Sequence, residues 1–316
     1  MKPTLLLDTD MLTDCDDAAA LAMAFEMERQ GECRLLGITV SSAHPDSVSV
    51  VSAIADFYGR GDLPIGAPAP GEGYRRDDSC FLGPVAAEFP HRIDGDTAGR
   101  AVPLMRRALA AEPDGSVTLV TIGYHTNVRS LLRSSPDALS PLSGRDLAAR
   151  KIREWVCMGG NFPSDDARDN VNFTRDLPAA VEAIRSFPGR IVFVGREIGH
   201  TIFVGDAFHA LPEPHPVRRA YELHRGRYGD NWDHHTADPC TVLYAVRGLG
   251  DFFAIESGAL DLQDSGAFEW HRGVPSQPPR ARLLICADRH DIATTIEKLV
   301  MSAERRSNAR KRDLTT

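Results

Sequence analysis

The feature that most narrows the fold is an alternation: short, nearly continuous apolar runs separated by longer stretches of helical character. The apolar runs fall at 4–7, 35–40, 64–66, 117–122, 154–158, 191–194 and 283–286. Between and after them, helical patterns cover 16–29, 47–58, 97–111, 127–133, 178–186, 216–224, 240–246 and 291–303. Strands alternating with helices imply an α/β domain built on a mostly parallel sheet with helices on both faces. Runs such as Val-Thr-Leu-Val-Thr-Ile, without strict alternation, suit strands buried on both sides. No internal repeat or interdomain linker interrupts the pattern. We therefore expect a single Rossmann-like domain over 1–303 and a basic, solvated tail over 304–316. In such sheets ligands bind beyond the carboxyl ends of strands, so those ends are where a site belongs.

Composition removes several function classes. The chain has 316 residues, 36 basic and 44 acidic, for a net charge of −8. Binding to a nucleic-acid polymer calls for a basic face, so that class is not expected. Six scattered cysteines without a C-x-x-C pair fit reduced thiols that pack as small apolar residues. The three leucines near the amino terminus are too short for a signal-peptide core, and no stretch reaches the roughly 20 apolar residues that span a bilayer. The expected location is the cytoplasm, away from membranes.

The end of the first strand carries the chemistry. Asp8, Asp10, Asp14, Asp16 and Asp17 place five carboxylates within ten residues. Asp8 and Asp10 share one face of the strand by its two-residue period. Asp16 and Asp17 open a helix, whose dipole favours one or two negative charges but not five. Close carboxylates repel and raise one another's pKa, and a bound cation removes that cost. All-oxygen ligands point to Ca²⁺ or Mg²⁺ rather than zinc. A strand-end Asp-x-Asp also opens haloacid-dehalogenase-type phosphatases, which makes a Mg²⁺-dependent phosphatase a competing reading. Against it, Met11-Leu12 follows Asp10 where that class wants a threonine.

The segment from Asp8 to Ala18 resembles the opening of the nucleoside hydrolase family, the inosine–uridine-preferring N-ribohydrolases, in its longer form DTDxxxDxDDA. Further motifs follow in family order. Gly123-Tyr124-His125-Thr126-Asn127 is similar to a strand-end G-x-x-T-N, and Met158-Gly159-Gly160 to an MGG turn. Asn172 to Asp176 resembles N-x-x-x-D, Gly195 to Gly199 a G-x-E-x-G stretch, and Asp238-Pro239 a late Asp-Pro that opens a helix.

The resemblance implies a Ca²⁺ site in which Asp10, Asp17 and Asp238 give carboxylates and Thr126 its backbone carbonyl. It implies that Asp10 is the general base for a water on that ion. The water attacks C1′ of a ribonucleoside through an oxocarbenium-like transition state. Asp8 orients the site from behind. Asp16 and Asn172 bind ribose hydroxyls, with Asn161 assisting. The resemblance also implies a homodimer or homotetramer. Glu197, following a strand, is a further candidate for the pocket.

Two positions depart from the family pattern. Many members have Glu two residues before the ribose-binding Asn, and here that place is Asn170. An amide both donates and accepts, so the far end of the sugar differs: a 5′-substituent, a deoxy sugar or weaker binding. Asp166 or Asp169 is a possible substitute. Members also carry His directly before the late Asp to protonate the leaving base, whereas here it is Ala237. His234 and His235, just upstream, titrate near neutrality and are the candidates for that acid, with His125 and His200 behind them. Trp232 is a candidate for stacking on the base. The two departures motivate a second reading, a nucleoside-binding protein that has lost turnover.

Overall fold

In the computed structural model, the described residues are 2–75, 79–162, 164, 166, 170–229 and 232–302. The expected basic tail, Asp169 and Ala303 lie outside them. The chain opens with β1 (Thr4–Thr9), α1 (Asp16–Arg29), β2 (Arg34–Val40), α2 (Pro45–Phe57), β3 (Ile65–Ala67) and α3 (Leu82–Glu88). It continues through β4 (Gly99–Arg100), α4 (Ala101–Ala111), β5 (Val117–Thr121), α5 (Thr126–Arg133), α6 (Gly144–Lys151) and β6 (Ile152–Met158). Then come α7 (Val171–Thr174), α8 (Leu177–Ser186), β7 (Ile191–Val194), α9 (Arg196–Gly199), β8 (Phe203–Val204) and α10 (Pro216–Tyr228). The last elements are β9 (His234–His235), α11 (Ala237–Arg247), β10 (Phe253–Leu262), β11 (Phe268–Arg272), β12 (Arg280–Ile285) and α12 (Arg289–Ser302).

Ten strands form one sheet in the order β11-β10-β12-β7-β6-β5-β1-β2-β3-β4. From β12 to β4 every neighbouring pair is parallel. All seven expected strands and eight expected helices have counterparts. The antiparallel extension through β10 and β11 escapes the sequence pattern, because β10 mixes buried and exposed positions and carries Glu256 and Asp261 in its run.

β1 is buried along its whole length between β2 and β5. Its side chains alternate into two cores. Leu5 and Leu7 join a core with α1, α2, α11 and α12, while Leu6 joins one with α4, α5, α6 and α8. This two-sided burial is why Leu-Leu-Leu stands where a half-exposed strand would alternate. The chain moves outward from β1 through β2 to β4, then returns to β5 on the other side of β1. The order of connection therefore reverses between β1 and β5, and a crevice opens at their carboxyl ends.

α1 is apolar almost all round: Asp16 to Met27 are all buried. Five of those residues are alanines, which lets α11 and α12 pack close against it. A helix of that kind belongs inside a protein, so the acidic residues at its start are carried into the interior.

Candidate active site at the carboxyl ends of β1 and β5

Two backbone devices form the crevice. Past β1, Met11 adopts a left-handed conformation with φ 38°, uncommon for a residue with a side chain and typical of functional turns. Its N–H donates to Thr9 Oγ1 at 3.1 Å, and its carbonyl accepts from Ser47 at 2.7 Å. Beside it, the loop after β5 presses Gly123 against β1. A Cβ at Gly123 would lie 2.3 Å from the Asp10 nitrogen, so only glycine permits this approach. The two strand ends therefore share one cleft.

That cleft measures about 390 Å³, and its walls include Asp10, Asp14, Asp16, Asp17 and Asp238. Carboxylate oxygens of Asp16, Asp17 and Asp238 lie within 4.8 Å of one another, and all three residues are buried. Asp16 and Asp17 stand in the first turn of α1, and Asp238 in the first turn of α11. α11 begins at Ala237 rather than at 240, with Thr236 as its N-cap. Asp238 is therefore inside the helix and does not serve as its cap. The Asp238 N–H donates to Asp16 Oδ2 at 3.2 Å, which locks the two helix starts together.

The electrostatics of this set are unfavourable in the bare protein. Burial pushes the Asp16 carboxyl up to about 6 and that of Asp10 up to about 7, and neighbouring carboxylates add to both rises. Asp17 and Asp238 rise well above the ordinary range, first by burial and then by their neighbours' charge, Asp10 among them. The set fits a hard cation. Ca²⁺ takes oxygens at roughly 2.3–2.6 Å, so oxygens across one ion stand about 5 Å apart, and the three carboxylates fall inside that span.

Asp10 has its own partners. Tyr124 hydrogen-bonds its carboxylate. Arg175 Nη1 donates to the Tyr124 hydroxyl at 2.9 Å and to Thr13 Oγ1 at 2.6 Å, with its guanidinium 4.5 Å from the centre of the Tyr74 ring. Asp8 lies deeper. One oxygen accepts from Thr39 at 2.5 Å and from Asn127 Nδ2 at 2.7 Å, which ties β1 to β2 and α5. Burial raises its pKa to about 7.

A second set of side chains flanks the acidic one. Nε2 atoms of His235, His224 and His234 lie 3.7, 3.9 and 4.0 Å from the Asp14 carboxylate. The rings of His234 and His235 are 3.9 Å apart, and His200 stacks on His235 at 4.0 Å. Their proton affinities diverge. Burial alone would lower the pKa of His235, but a hydrogen bond to Asp14 and the charges of Asp16 and Asp14 outweigh it and raise the value. Burial and the neighbouring His235 push His234 down to about 3. Asp14 is held below the usual carboxylate range, because the three imidazoles overcome its burial.

The other predicted residues divide by position. Asn170 and Asn172 line the cleft. Asn172 Nδ2 donates to the carbonyls of Ile122 and Met158 at 3.3 Å each, while Asn170 Oδ1 is buried without a hydrogen-bond partner among the described residues. His235 and His200 line the cleft, and His234, whose ring contacts that of His235, is not in its wall.

Thr126, Asn161 and Glu197 are not in the cleft wall. Thr126 is fully buried at the start of α5, and its hydroxyl donates to Asp176 at 2.5 Å. Asn161 lies in the turn after β6, where its carbonyl accepts from Ser164. Glu197 accepts from the Phe162 N–H at 3.2 Å and stands 4.0 Å from Arg282, so it braces the turn after β6. His125 is buried between the Asn172 carbonyl and Cys157, and burial lowers its pKa to about 4. Ala237 packs on Gly199, where an added Cβ would meet the Ala237 Cα at 2.2 Å.

Sequence reasoning missed Arg175, Tyr124 and the placement of Asp14. Arg175 and Tyr124 sit inside quoted motifs, but at positions whose identity those motifs leave open. Asp14 belongs to the acidic run, and nothing in the run separates it from its neighbours.

Known proteins match this chain in sequence and fold. The family model described as inosine-uridine preferring nucleoside hydrolase matches residues 5–302. The pyrimidine-specific ribonucleoside hydrolase RihA of Enterobacter sp. (strain 638) is 28% identical over 269 residues, covering 75% of this chain and 79% of its own. Among solved structures, the plant nucleoside hydrolase PpNRh1 superposes with a TM-score of 0.70 at 20% identity, covering 95% of this chain and 99% of that one. The type III effector protein XopQ complexed with adenosine diphosphate ribose gives 0.71 at 18% identity, covering 96% and 95%. At these identities the structures speak for the fold. No helix among the described residues is long and apolar enough to cross a membrane.

Proposed function

This chain belongs to the inosine-uridine preferring nucleoside hydrolase family and is an N-glycosyl hydrolase, and on that premise we propose a Ca²⁺-dependent cleavage of a ribonucleoside or related N-riboside with Asp10 as general base. The observation that carries this reading is the gathering of Asp16, Asp17 and Asp238 beside Asp10 in one cleft, at the strand-order reversal. Asp17 and Asp238 would hold the ion with Asp10 and the Thr126 carbonyl, and the position of Asp16 lets it serve the ion as well as a ribose hydroxyl. Bound there, a divalent cation neutralises the carboxylates and lowers the pKa of nearby water.

The remaining chemistry belongs to side chains. Asp10 takes the proton from the water that attacks C1′, and Tyr124 with Arg175 behind it fixes the carboxylate's orientation. Asn172, its Nδ2 held by two backbone carbonyls, presents its amide oxygen to the sugar. His235 gives a proton to the leaving base. It lines the cleft, and Asp14 keeps it protonated to higher pH, whereas His234 is neutral there. Breaking the glycosidic bond builds positive charge on the sugar ring, and the acidic floor offsets it.

The buried, uncharged Asn170 favours a sugar whose 5′ end does not call for a carboxylate, and Arg175 and Arg196 in the same wall suit an anionic 5′-substituent. Six unpaired cysteines fit a reducing cytoplasm. A homodimer or homotetramer is carried over from the family, and a monomer by sedimentation velocity would remove that inference. The central test is release of reducing sugar from inosine, uridine, adenosine, cytidine and their 5′-monophosphates, with Ca²⁺ and after chelation. We expect Ca²⁺-dependent release from at least one of them. Tight nucleoside binding with no sugar released from any would leave a binder.

A further inference from the structure

The imidazole set beside the acidic floor has more donors than one proton transfer needs. His234 and His235 are consecutive residues of β9, and consecutive strand residues ordinarily project to opposite faces. Here their rings lie 3.9 Å apart. One nitrogen from each ring and one carboxylate oxygen from each of Asp14 and Asp16 fall within 4.8 Å of one another. His224 approaches the same Asp14 carboxylate to 3.9 Å. His234 Nε2 is buried and has no hydrogen-bond partner among the described residues.

A purely hard-cation site has no use for imidazole. Mixed nitrogen and oxygen donors in this number suit zinc and its first-row neighbours, which bind histidine at about 2.0–2.1 Å. The observed Nε2-to-carboxylate distances of 3.7 to 4.0 Å are a few tenths of an ångström wider than the edge of a tetrahedral zinc shell built on those bond lengths. Small rotations of the two rings would close that difference.

We propose that Asp14, His234 and His235 form a second metal site, selective for a zinc-class divalent cation and distinct from the acidic site of Asp16, Asp17 and Asp238. His224 stands as a further donor, and Asp16 is the residue the two sites share. An ion here occupies the imidazole nitrogen of His235, so it also suppresses leaving-group protonation; that consequence alone rests on the reaction proposed above.

The test uses the full chain saturated with Ca²⁺ and titrated with Co²⁺, whose visible absorption intensifies when water is replaced by imidazole in a site of low coordination number. One equivalent should develop the band, and one equivalent of Zn²⁺ should bleach it. His234→Ala and His235→Asn should each lose the band while keeping the Ca²⁺ content of the parent, which also reports that they fold. Asp238→Asn should keep it. No band above that of aqueous Co²⁺, a band unchanged in both histidine variants, or a band lost in Asp238→Asn but not in them would overturn the proposal. A Co²⁺ band without nucleoside cleavage would leave this site standing and remove the reaction, so the two failures are distinguishable.

Discussion

The two donor sets that meet at Asp16 differ in how they are held. The acidic set stands on buried elements: the end of β1 and the first turns of α1 and α11, joined by the hydrogen bond from Asp238 to Asp16. The imidazole set hangs on the connection from α10 through β9, which among the described residues pairs only with the two-residue β8, and on the loop carrying Asp14. The first set is fixed by the packing that makes the fold, and the second by local segments that can vary while the fold stays intact. The carboxylates of the quoted motifs therefore fall together in the cleft, whereas position 237 is Ala and the imidazoles stand on those local segments instead.

That contrast can be broken experimentally. The largest effect should come from Asp10→Asn, since a positioned general base is worth roughly 10²–10⁴-fold. Turnover should fall about a thousandfold while nucleoside affinity, read by calorimetry, survives; near-parental turnover would remove Asp10 as the base. Asp238→Ala should lower Ca²⁺ affinity at least as much as loss of a supporting residue does, about 100-fold, and parental Ca²⁺ content by elemental analysis would detach Asp238 from the ion.

His235→Ala should cost about a hundredfold on natural nucleosides. It should have little effect on a nitrophenyl riboside, whose leaving group needs no proton. His234→Ala should cost less on the natural substrates, because His234 is neutral. Equal losses on both substrate types would reject the acid role.

The smallest effect is thermodynamic. Asp10 and Asp16 have folded-state pKa values raised to about 7 and about 6. Without metal, the folded state binds more protons here than the unfolded chain, so these groups lower stability as pH rises from about 4 to 7. The depressed histidines act in the opposite direction, so the informative quantity is the shift caused by Ca²⁺. At a fixed concentration about 100 times its Kd at pH 7.5, Ca²⁺ should raise Tm by several degrees at that pH. The rise should be smaller at pH 5.5, where the ion must displace protons. Equal shifts at both pH values would mean that Ca²⁺ binds elsewhere.

Much of this was legible in the chain. The seven main strands were visible because buried parallel strands are continuously apolar. The acidic floor was visible because three of its members, Asp10, Asp16 and Asp17, sit in one short segment where a helix start cannot explain so much charge. Glu197 was read toward the pocket because it follows a strand, yet one turn of α9 carries it to Phe162 instead. Its carboxylate answers a backbone N–H that no local pattern reveals. Arg175 escaped for a similar reason. Its partners Thr13 and Tyr124 lie 162 and 51 residues away in sequence.

The sequence by itself determined the layered α/β architecture, the crevice at the strand ends and the cluster of carboxylates placed there, because periodicity and local charge density are properties of neighbours along a chain. Only the tertiary structure decided that Asp14 faces three imidazoles instead of joining the acidic floor, and that His235 and His234 hold protons differently. Those outcomes depend on distances between α1, α10 and β9, segments some two hundred residues apart, and on the low dielectric of a buried cleft. Burial and pairing set proton affinity, and neither is written in any single stretch of sequence.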